Sequence, residues 1–455
     1  EIIGQLSRSQ ESAPAVLFER VKGSALPVVV NLLGSQSRMC RALGVTSFEE
    51  IAQRISGMLK PQIPEGWLDQ LKLVPQLAQL ARLPPRIVRT GVCQQIVRLG
   101  RDVDLAEVPA LQCWPLDAGP MITQTQVYTR HPVTLERKVG CERLQIKDRA
   151  AGWLHYSRFS DGCQNLLEYR RLGQQMPVAI ALGGDPVCIF TAAAPLPRQI
   201  DACLLAGFLR NAPVELVKCR TIDLEVPAGA EIVIEGYIDP TEPWETAGPF
   251  GDRNGHYNLG HQFPVLHVTA VTHRANPVYC ATVVGPPPQE EFWLMKAAER
   301  MFLPVLQLLF PEVVDVNVPR AGAQSNLCFV SIRKRYPQQA RKVLSGLWGL
   351  TALMFTKVVV VVDEHVNVQN ADEVWFQVGA NVHPGRDLVL CEGPGDLLDH
   401  ASPICGAGHK LGLDATRKYP EENHPRPWPE ELRMTKEVQS LVRNRWREYG
   451  LPGGD

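Results

Sequence analysis

Gly248-Pro249-Phe250-Gly251-Asp252-Arg253-Asn254-Gly255-His256-Tyr257 sets an acid between two glycines in an aromatic-lined turn. Glycine accepts backbone conformations closed to other residues, so such a turn lets a carboxylate face a bound planar ligand without side-chain obstruction. Taken by itself it is equally a structural turn, and the surroundings have to decide. Just upstream, Ala230-Glu231-Ile232-Val233-Ile234-Glu235-Gly236 follows the tight turn Val226-Pro227-Ala228-Gly229 and has the composition of a strand. From Gly236 to Gly260 the chain is rich in Gly, Pro and Asn, and loops of that length without regular structure are more often functional than not.

Composition bounds the rest. The chain has 455 residues, enough for two to four domains. With 45% apolar and 21% charged residues it is a folded protein rather than a disordered, collagen-like or coiled-coil one. Lys plus Arg (47) and Asp plus Glu (48) nearly cancel, and no basic patch stands out, which excludes a nucleic-acid partner. Gly (36) and Pro (37) are frequent enough to indicate many turns and short strands. The twelve cysteines are thinly spread with no C-x-x-C, as expected of free thiols in a reducing, cytoplasmic setting. No apolar run is long enough for a membrane span. The opening Glu-Ile-Ile-Gly has neither an initiator Met nor a signal-type segment, and the N-terminus is read as incomplete.

Three regions follow from the patterning: 1–85, mixed strand and helix; 86–285, mainly period-two; and 286–455, alternating helix and strand. In the first, 15–18 and 26–32 read as strands, and 47–60 and 67–81 as helices. In the second, 122–129, 138–147, 152–156, 214–218, 231–237 and 263–273 read as strands of a barrel-like closed sheet. In the third, 289–309 and 337–355 read as helices and 313–318, 327–332 and 358–362 as strands of an α/β layer. Residues 430–449 have the spacing of a charged amphipathic helix with little core of its own, which predicts docking on a neighbouring domain or subunit and at least a dimer. Nucleotide-binding P-loop, zincin and nucleophile-elbow signatures are absent. Neither His256 with His261 nor His267 with His273 has a convincing metal-ligand companion.

The turn at 248–257 closely resembles the EGPFG-[ED]-x-x-G-Y-Y motif of the UbiD-type decarboxylases, which use prenylated flavin mononucleotide. Residues 214–227, 230–236, 284–288, 297–300, 330–337, 347–349 and 411–418 also resemble segments of that family, in family order. The likeness covers about residues 15 to 430. It implies an α/β multidomain (α+β) fold with a split β-barrel, flavin-domain-like centre flanked by α/β regions, the last carrying an oligomerisation helix. It also implies non-oxidative carboxy-lyase chemistry on aromatic or α,β-unsaturated acids. The cofactor would be supplied by a flavin prenyltransferase.

Residue by residue, Arg143 in Lys138-Val139-Gly140-Cys141-Glu142-Arg143 falls on the family's strand arginine, whose planar fork suits a carboxylate. Asp252 falls on the acid that returns the proton after carbon dioxide leaves, a role requiring a raised pKa. The alternative for the two is a structural ion pair. Lys138, Arg143, Pro195 in the Pro195-Leu196-Pro197 turn, and Lys410 are the expected cofactor contacts. The departures matter as much. The family's second carboxylate position is Ala247, with Glu142 and Glu245 the nearest acids and neither well placed to replace it. The family's Asn, His and Glu ligands to a divalent metal correspond to Lys138, a stretch without His at 159–161, and Ala202, with Asp201 the only acid nearby. No divalent metal is therefore expected there. Three possibilities remain open: a Lys138 ammonium gripping the phosphate directly, loss of the cofactor, or a shifted site. The altered positions predict at most trace decarboxylation, not rescued by Ala247→Glu, and allow a second function: a catalytically degenerate subunit, structural or regulatory, of a carboxylase or decarboxylase assembly.

Overall fold

The computed structural model of the protein describes residues 2–9, 13–59, 83–286, 289–322, 326–350, 353–430, 432 and 434–450. The expected helix at 67–81 lies outside them.

The centre is an antiparallel sheet that runs, strand by neighbouring strand, through Met121–Ile122, Leu144–Asp148, Ala151–Leu154, Val265–His273, Ile232–Ile238, Met176–Leu182, Thr125–Arg130 and Arg137–Gly140. Ile96–Leu99 adds to the side of Val265–His273. The path does not close, which corrects the closed sheet to a half-barrel with a slit. Met176–Leu182 is apolar at every second position on both faces. Val178, Ile180 and Leu182 enter one core with Ile232 and Ile234, and Ala179 and Ala181 enter another with Tyr128 and Val233.

Two runs that read as single strands are broken at the slit. Residues 122–129 are interrupted at Thr123-Gln124, where Gln124 has φ 56°. Residues 138–147 split into Arg137–Gly140 and Leu144–Asp148, which belong to opposite ends of the path. Both breaks carry the chain from one lip of the slit to the other, and the Thr125 hydroxyl donates to the Glu142 carbonyl between them. At 123–124 a polar Thr-Gln-Thr-Gln run hides the crossing, and at 141–143 it shows only as a change of phase in the apolar positions, from Val139 and Cys141 to Leu144 and Ile146.

Helices flank the half-barrel. Asp161–Leu172 starts at Ser160, whose Oγ accepts from the Cys163 N–H at 3.3 Å, and stops at Gly173 in the left-handed region. Pro186–Ala193 is capped by Asp185, which accepts from the Val187 N–H at 3.0 Å. The N-terminal strands Val16–Phe18 and Val28–Val30 pair with Tyr279–Ala281. Phe48, Ile51 and Ile55 of the helix Phe48–Leu59 share a core with Ala297 and Met301 of the helix Glu290–Leu309.

Beyond that helix lies a mixed five-stranded sheet in the order Val313–Asn317, Leu327–Ile332, Val358–Asp363, Ala407–Asp414, Leu388–Pro394. Val359 and Val361 face the helix Gln339–Trp348 through Val343 and Leu347, whereas Val360 and Val362 face Ala371–Asn381 through Val374. The first of these helices is shorter than its pattern suggested, ending at Gly349. The C-terminal segment forms an α-helix over Lys436–Asn444, started by Thr435, and then a 3-10 turn over Trp446–Tyr449, and none of the residues of either is buried. No described helix is long and apolar enough to cross a membrane.

Gly236 marks the one irregularity in the pairing of the two long central strands. A β-carbon there would strike the His267 carbonyl. Gly236→Ala is expected to cost ~1–3 kcal/mol through forced displacement of that backbone, read as a lower urea midpoint; an unchanged midpoint would refute the close approach.

Candidate active site

The motif turn is a pair of two-residue strands, Phe250–Gly251 against Tyr257–Asn258, rather than an open loop. A second short pair, Glu245–Ala247 with His261–Phe263, precedes it. Gly255 sits at φ 82°, and a side chain on Gly251 would collide with Trp114, so each glycine has a specific reason. Trp114 is itself anchored, its indole N–H donating 2.7 Å to the Val284 carbonyl.

Asp252 is 2% exposed and takes both arms of the Arg143 fork, Nη1 to Oδ2 and Nη2 to Oδ1, each 3.0 Å. Burial alone would raise the Asp252 pKa; the Arg143 charge and hydrogen bonds, with help from Arg253, outweigh it and hold the carboxyl below its ordinary value. The raised pKa that a proton donor needs is therefore not a property of this state of the site. Arg143 also lies 5.2 Å over the Phe250 ring. The next residue, Arg253, ties the turn to two other parts of the chain, pairing with Glu291 at 3.1 Å and Asp396 at 3.0 Å, and the Asn254 amide donates to the Leu398 carbonyl at 2.5 Å.

Ala247 is 3% exposed among Met121, Phe250, Phe263 and Trp153. Neither of the sequence-near acids stands in for it. Glu245 is held by Lys147 at 2.7 Å and by the Trp153 indole N–H at 2.8 Å. Glu142 and Arg143, though adjacent on the crossing at 141–143, serve different places. Glu142 turns into a cavity of about 110 Å³ shared with Lys138, Tyr156, Ser160, Asp161 and Ala202. The three positions matched to metal ligands thus converge, but on an ammonium, a methyl and, at 159–161, Phe-Ser-Asp. Ammonium and methyl cannot ligate, and no three His, Cys, Asp or Glu gather anywhere among the described residues. The donor set does not fit a divalent ion. Asp201 is engaged elsewhere, capping the Cys203 N–H at 2.8 Å and pairing with Arg137 at 2.8 Å.

Pro195 is exposed, while Ala194, Leu196 and Pro197 around it line the cavity. Lys410 lies on the strand Ala407–Asp414, with its ammonium donating to the Met354 and Thr356 carbonyls; among the described residues it has no bond to Arg143, Asp252 or Lys138. Burial lowers its pKa.

His155 is the residue the sequence did not reveal. Its backbone N–H donates 2.9 Å to the Arg143 carbonyl, and its ring stacks on Phe263 at 4.0 Å and tilts against Phe250 at 4.8 Å. Burial, reinforced by Arg143, pushes its pKa down to about 3, so the ring is neutral. Both ring nitrogens are sealed from solvent without a hydrogen-bond partner among the described residues. A lone His at the end of a strand carries no signal that would have singled it out. His155→Phe removes two unpaired polar atoms from aromatic surroundings, and the expected outcome is a protein more stable by ~1 kcal/mol or more. A lower urea midpoint would mean that the imidazole has a partner the fold needs.

Comparison with known proteins places this geometry. Family models for the N-terminal, Rift-related and C-terminal domains of 3-octaprenyl-4-hydroxybenzoate carboxy-lyase match residues 1–55, 86–287 and 292–415. Relatives include a protein of Aquifex aeolicus of uncharacterized function, 43% identical over 99% of this chain and 93% of its own, and another from Archaeoglobus fulgidus, 42% identical over 95% and 89%. Among solved structures, the closed form of vanillic acid decarboxylase from Sedimentibacter hydroxybenzoicus superposes with a TM-score of 0.85 at 27% identity, covering 99% of this chain and 93% of that one. The UbiD-class enzyme HmfF of Pelotomaculum thermopropionicum, in complex with FMN, does so with a TM-score of 0.74 at 30% identity, covering 91% and 88%. With the half-barrel, the motif turn and all three domain models in agreement, the chain belongs to the UbiD family of decarboxylases.

Proposed function

We propose that the protein is a cytoplasmic carboxy-lyase that acts on an aromatic or α,β-unsaturated carboxylic acid with prenylated FMN made by a flavin prenyltransferase. The observation that carries this reading is the buried, bidentate Arg143–Asp252 pair on the family's motif turn. A guanidinium fork that holds one carboxylate in this geometry suits a substrate carboxylate in the same way. Asp252 then acts as the internal occupant of the substrate's place. When the substrate's carboxylate takes the fork, Asp252 loses the partner that keeps its pKa down while remaining buried, and its pKa rises. It becomes a proton holder once substrate is bound.

The bound flavin would accept the electron density left when the bond to the carboxyl carbon breaks. Arg143 orients the acid, the aromatic wall of Phe250 and Phe263 excludes water, and carbon dioxide leaves with no net oxidation. The ring or vinyl carbon takes the proton of Asp252, which solvent replaces. The cavity beside the pair supports cofactor binding, since its unpaired polar groups and lysine suit a phosphate.

A second reading, a catalytically degenerate subunit, is favoured by one observation: Ala247 is enclosed by apolar side chains, and neither Glu142 nor Glu245 takes its place beside Asp252. Protein co-expressed with a flavin prenyltransferase and assayed on cinnamic and hydroxybenzoic acids separates the two. The first reading expects turnover above roughly 1 per second and a loss of about 10²–10⁴ in kcat for Asp252→Asn, the usual contribution of a general acid. Trace turnover that is indifferent to Asp252→Asn would support the second.

A further inference from the structure

The cavity bounded by Lys138, Glu142 and Tyr156 opens at the start of the helix Asp161–Leu172. Two of its polar atoms, Glu142 Oε2 and the Tyr156 hydroxyl oxygen, are sealed from solvent and have no hydrogen-bond partner among the described residues. Both side chains occupy room that glycines leave. A β-carbon on Gly140 would come within 2.5 Å of the Glu142 carboxylate, and one on Gly162 would run into the Tyr156 ring. Unpaired buried polar groups are costly, and a cavity lined by two residues that carry them suits a polar occupant.

We propose that this cavity is a metal-independent site for a phosphate-type oxyanion, in which the Lys138 ammonium, the Tyr156 hydroxyl, the Glu142 carboxyl and the first N–H groups of the helix take the place of a divalent ion. It deepens the reading above, on which the oxyanion would be the flavin's phosphate.

The donors agree on the ligand. Lys138 is 6% exposed; its ammonium donates to the Arg198 carbonyl and lies 3.2 Å from Glu136, and with three N–H bonds it retains one for the cavity. Arg137 does not compete, because Asp201 at 2.8 Å and Glu225 at 3.1 Å hold it. The first N–H groups of a helix have no intrahelical acceptor, and here the Ser160 cap uses only that of Cys163. Burial, with the charge of Asp161 adding to it, pushes the Glu142 pKa up to about 7 against hydrogen bonds from its own N–H and from Ser160, which weakens its repulsion of an anion. Tyr156 is held in its neutral hydroxyl form by burial. Asp161, the remaining acid at the rim, is 3.4 Å from Arg198 and so partly neutralised. A divalent cation would find an ammonium where it needs a ligand.

Isothermal titration of the full-length protein with FMN, riboflavin and inorganic phosphate, each with EDTA and with added manganese, tests this without any turnover. The expected result is FMN binding at least tenfold tighter than riboflavin, competition by inorganic phosphate, and less than a twofold change on adding EDTA or manganese. Lys138→Met is expected to weaken FMN at least tenfold and Tyr156→Phe severalfold, with riboflavin unaffected; Tyr156→Phe removes a hydroxyl without a partner and should fold normally. Loss of FMN binding in EDTA with rescue by manganese would overturn the proposal, as would equal affinity for FMN and riboflavin, an affinity unmoved in folded Lys138→Met, or no binding of FMN or phosphate. Metal-independent FMN binding by an inactive protein would uphold this site and sink the decarboxylase reading, whereas an active enzyme that needs manganese would do the reverse.

Discussion

The Arg143–Asp252 pair is the constraint on which the arrangement of the site depends. With Asp252 buried and the Arg143 side chain 19% exposed, the pair contributes little net stability, because desolvation offsets most of the attraction, yet removing Arg143 would leave a buried carboxylate alone at a cost of ~3–5 kcal/mol. The pair therefore acts mainly on geometry. It fixes the motif turn to the crossing at 141–143, and the turn carries Arg253 and Asn254, which reach Glu291, Asp396 and the Leu398 carbonyl. One ion pair at the slit thus sets where the second sheet's loop meets the half-barrel. Anything that reorients Arg143 acts on that contact as well as on the substrate's place.

The slit also explains how neighbouring residues come to serve separate chemistries. Along a strand, Glu142 and Arg143 would face opposite sides of a sheet. Here they sit in a three-residue crossing between its two ends, and they are separated by what each packs against. Arg143 meets an acid and an aromatic face, so it stays charged. Glu142 makes no ion pair, although Lys138 lines the same cavity, and burial raises its pKa. His155 is driven the same way by the same means, losing its charge to burial and to the nearby guanidinium. Arg143 and Asp252 remain ionised at the centre with Arg253 beside them, while the unpaired Glu142 and His155 are pressed toward neutrality.

Legibility followed locality. The motif turn could be read because its chemistry lies within ten consecutive residues, and the long strands because alternation over 232–238 and 265–273 has a single interpretation. The crossing at 123–124 could not, since it lies in a polar Thr-Gln-Thr-Gln run, and the one at 141–143 shows only as a change of phase between Val139 and Leu144. Pro186–Ala193 was missed for a related reason: six of its eight residues are buried, so it has no polar face to give a helical period. Lys410 had the right neighbours in sequence, but its direction is set by the Met354 and Thr356 carbonyls, which lie on a segment far from it in the chain. His155 has no partner, and a residue distinguished by unmet hydrogen bonds leaves no pattern to find.

Ala247 brings these threads together. In the sequence it is a missing carboxylate, a gap in an otherwise recognisable set. In the structure there is no gap: its methyl is closed in by Met121, Phe250, Phe263 and Trp153, and two of those rings also pack against the neutral His155. An acid placed there would enter an apolar cluster without a cation of its own, since Arg143 is already bidentate to Asp252 and Lys147 is held by Glu245. Burial would keep it protonated and unable to take part in charge balance. The substitution is therefore one part of a larger change, in which the acid is gone, its surroundings are aromatic and neutral, and fixed positive charge has moved to Lys138 on the far side of the crossing. Restoring one residue would not restore the electrostatics that residue needs.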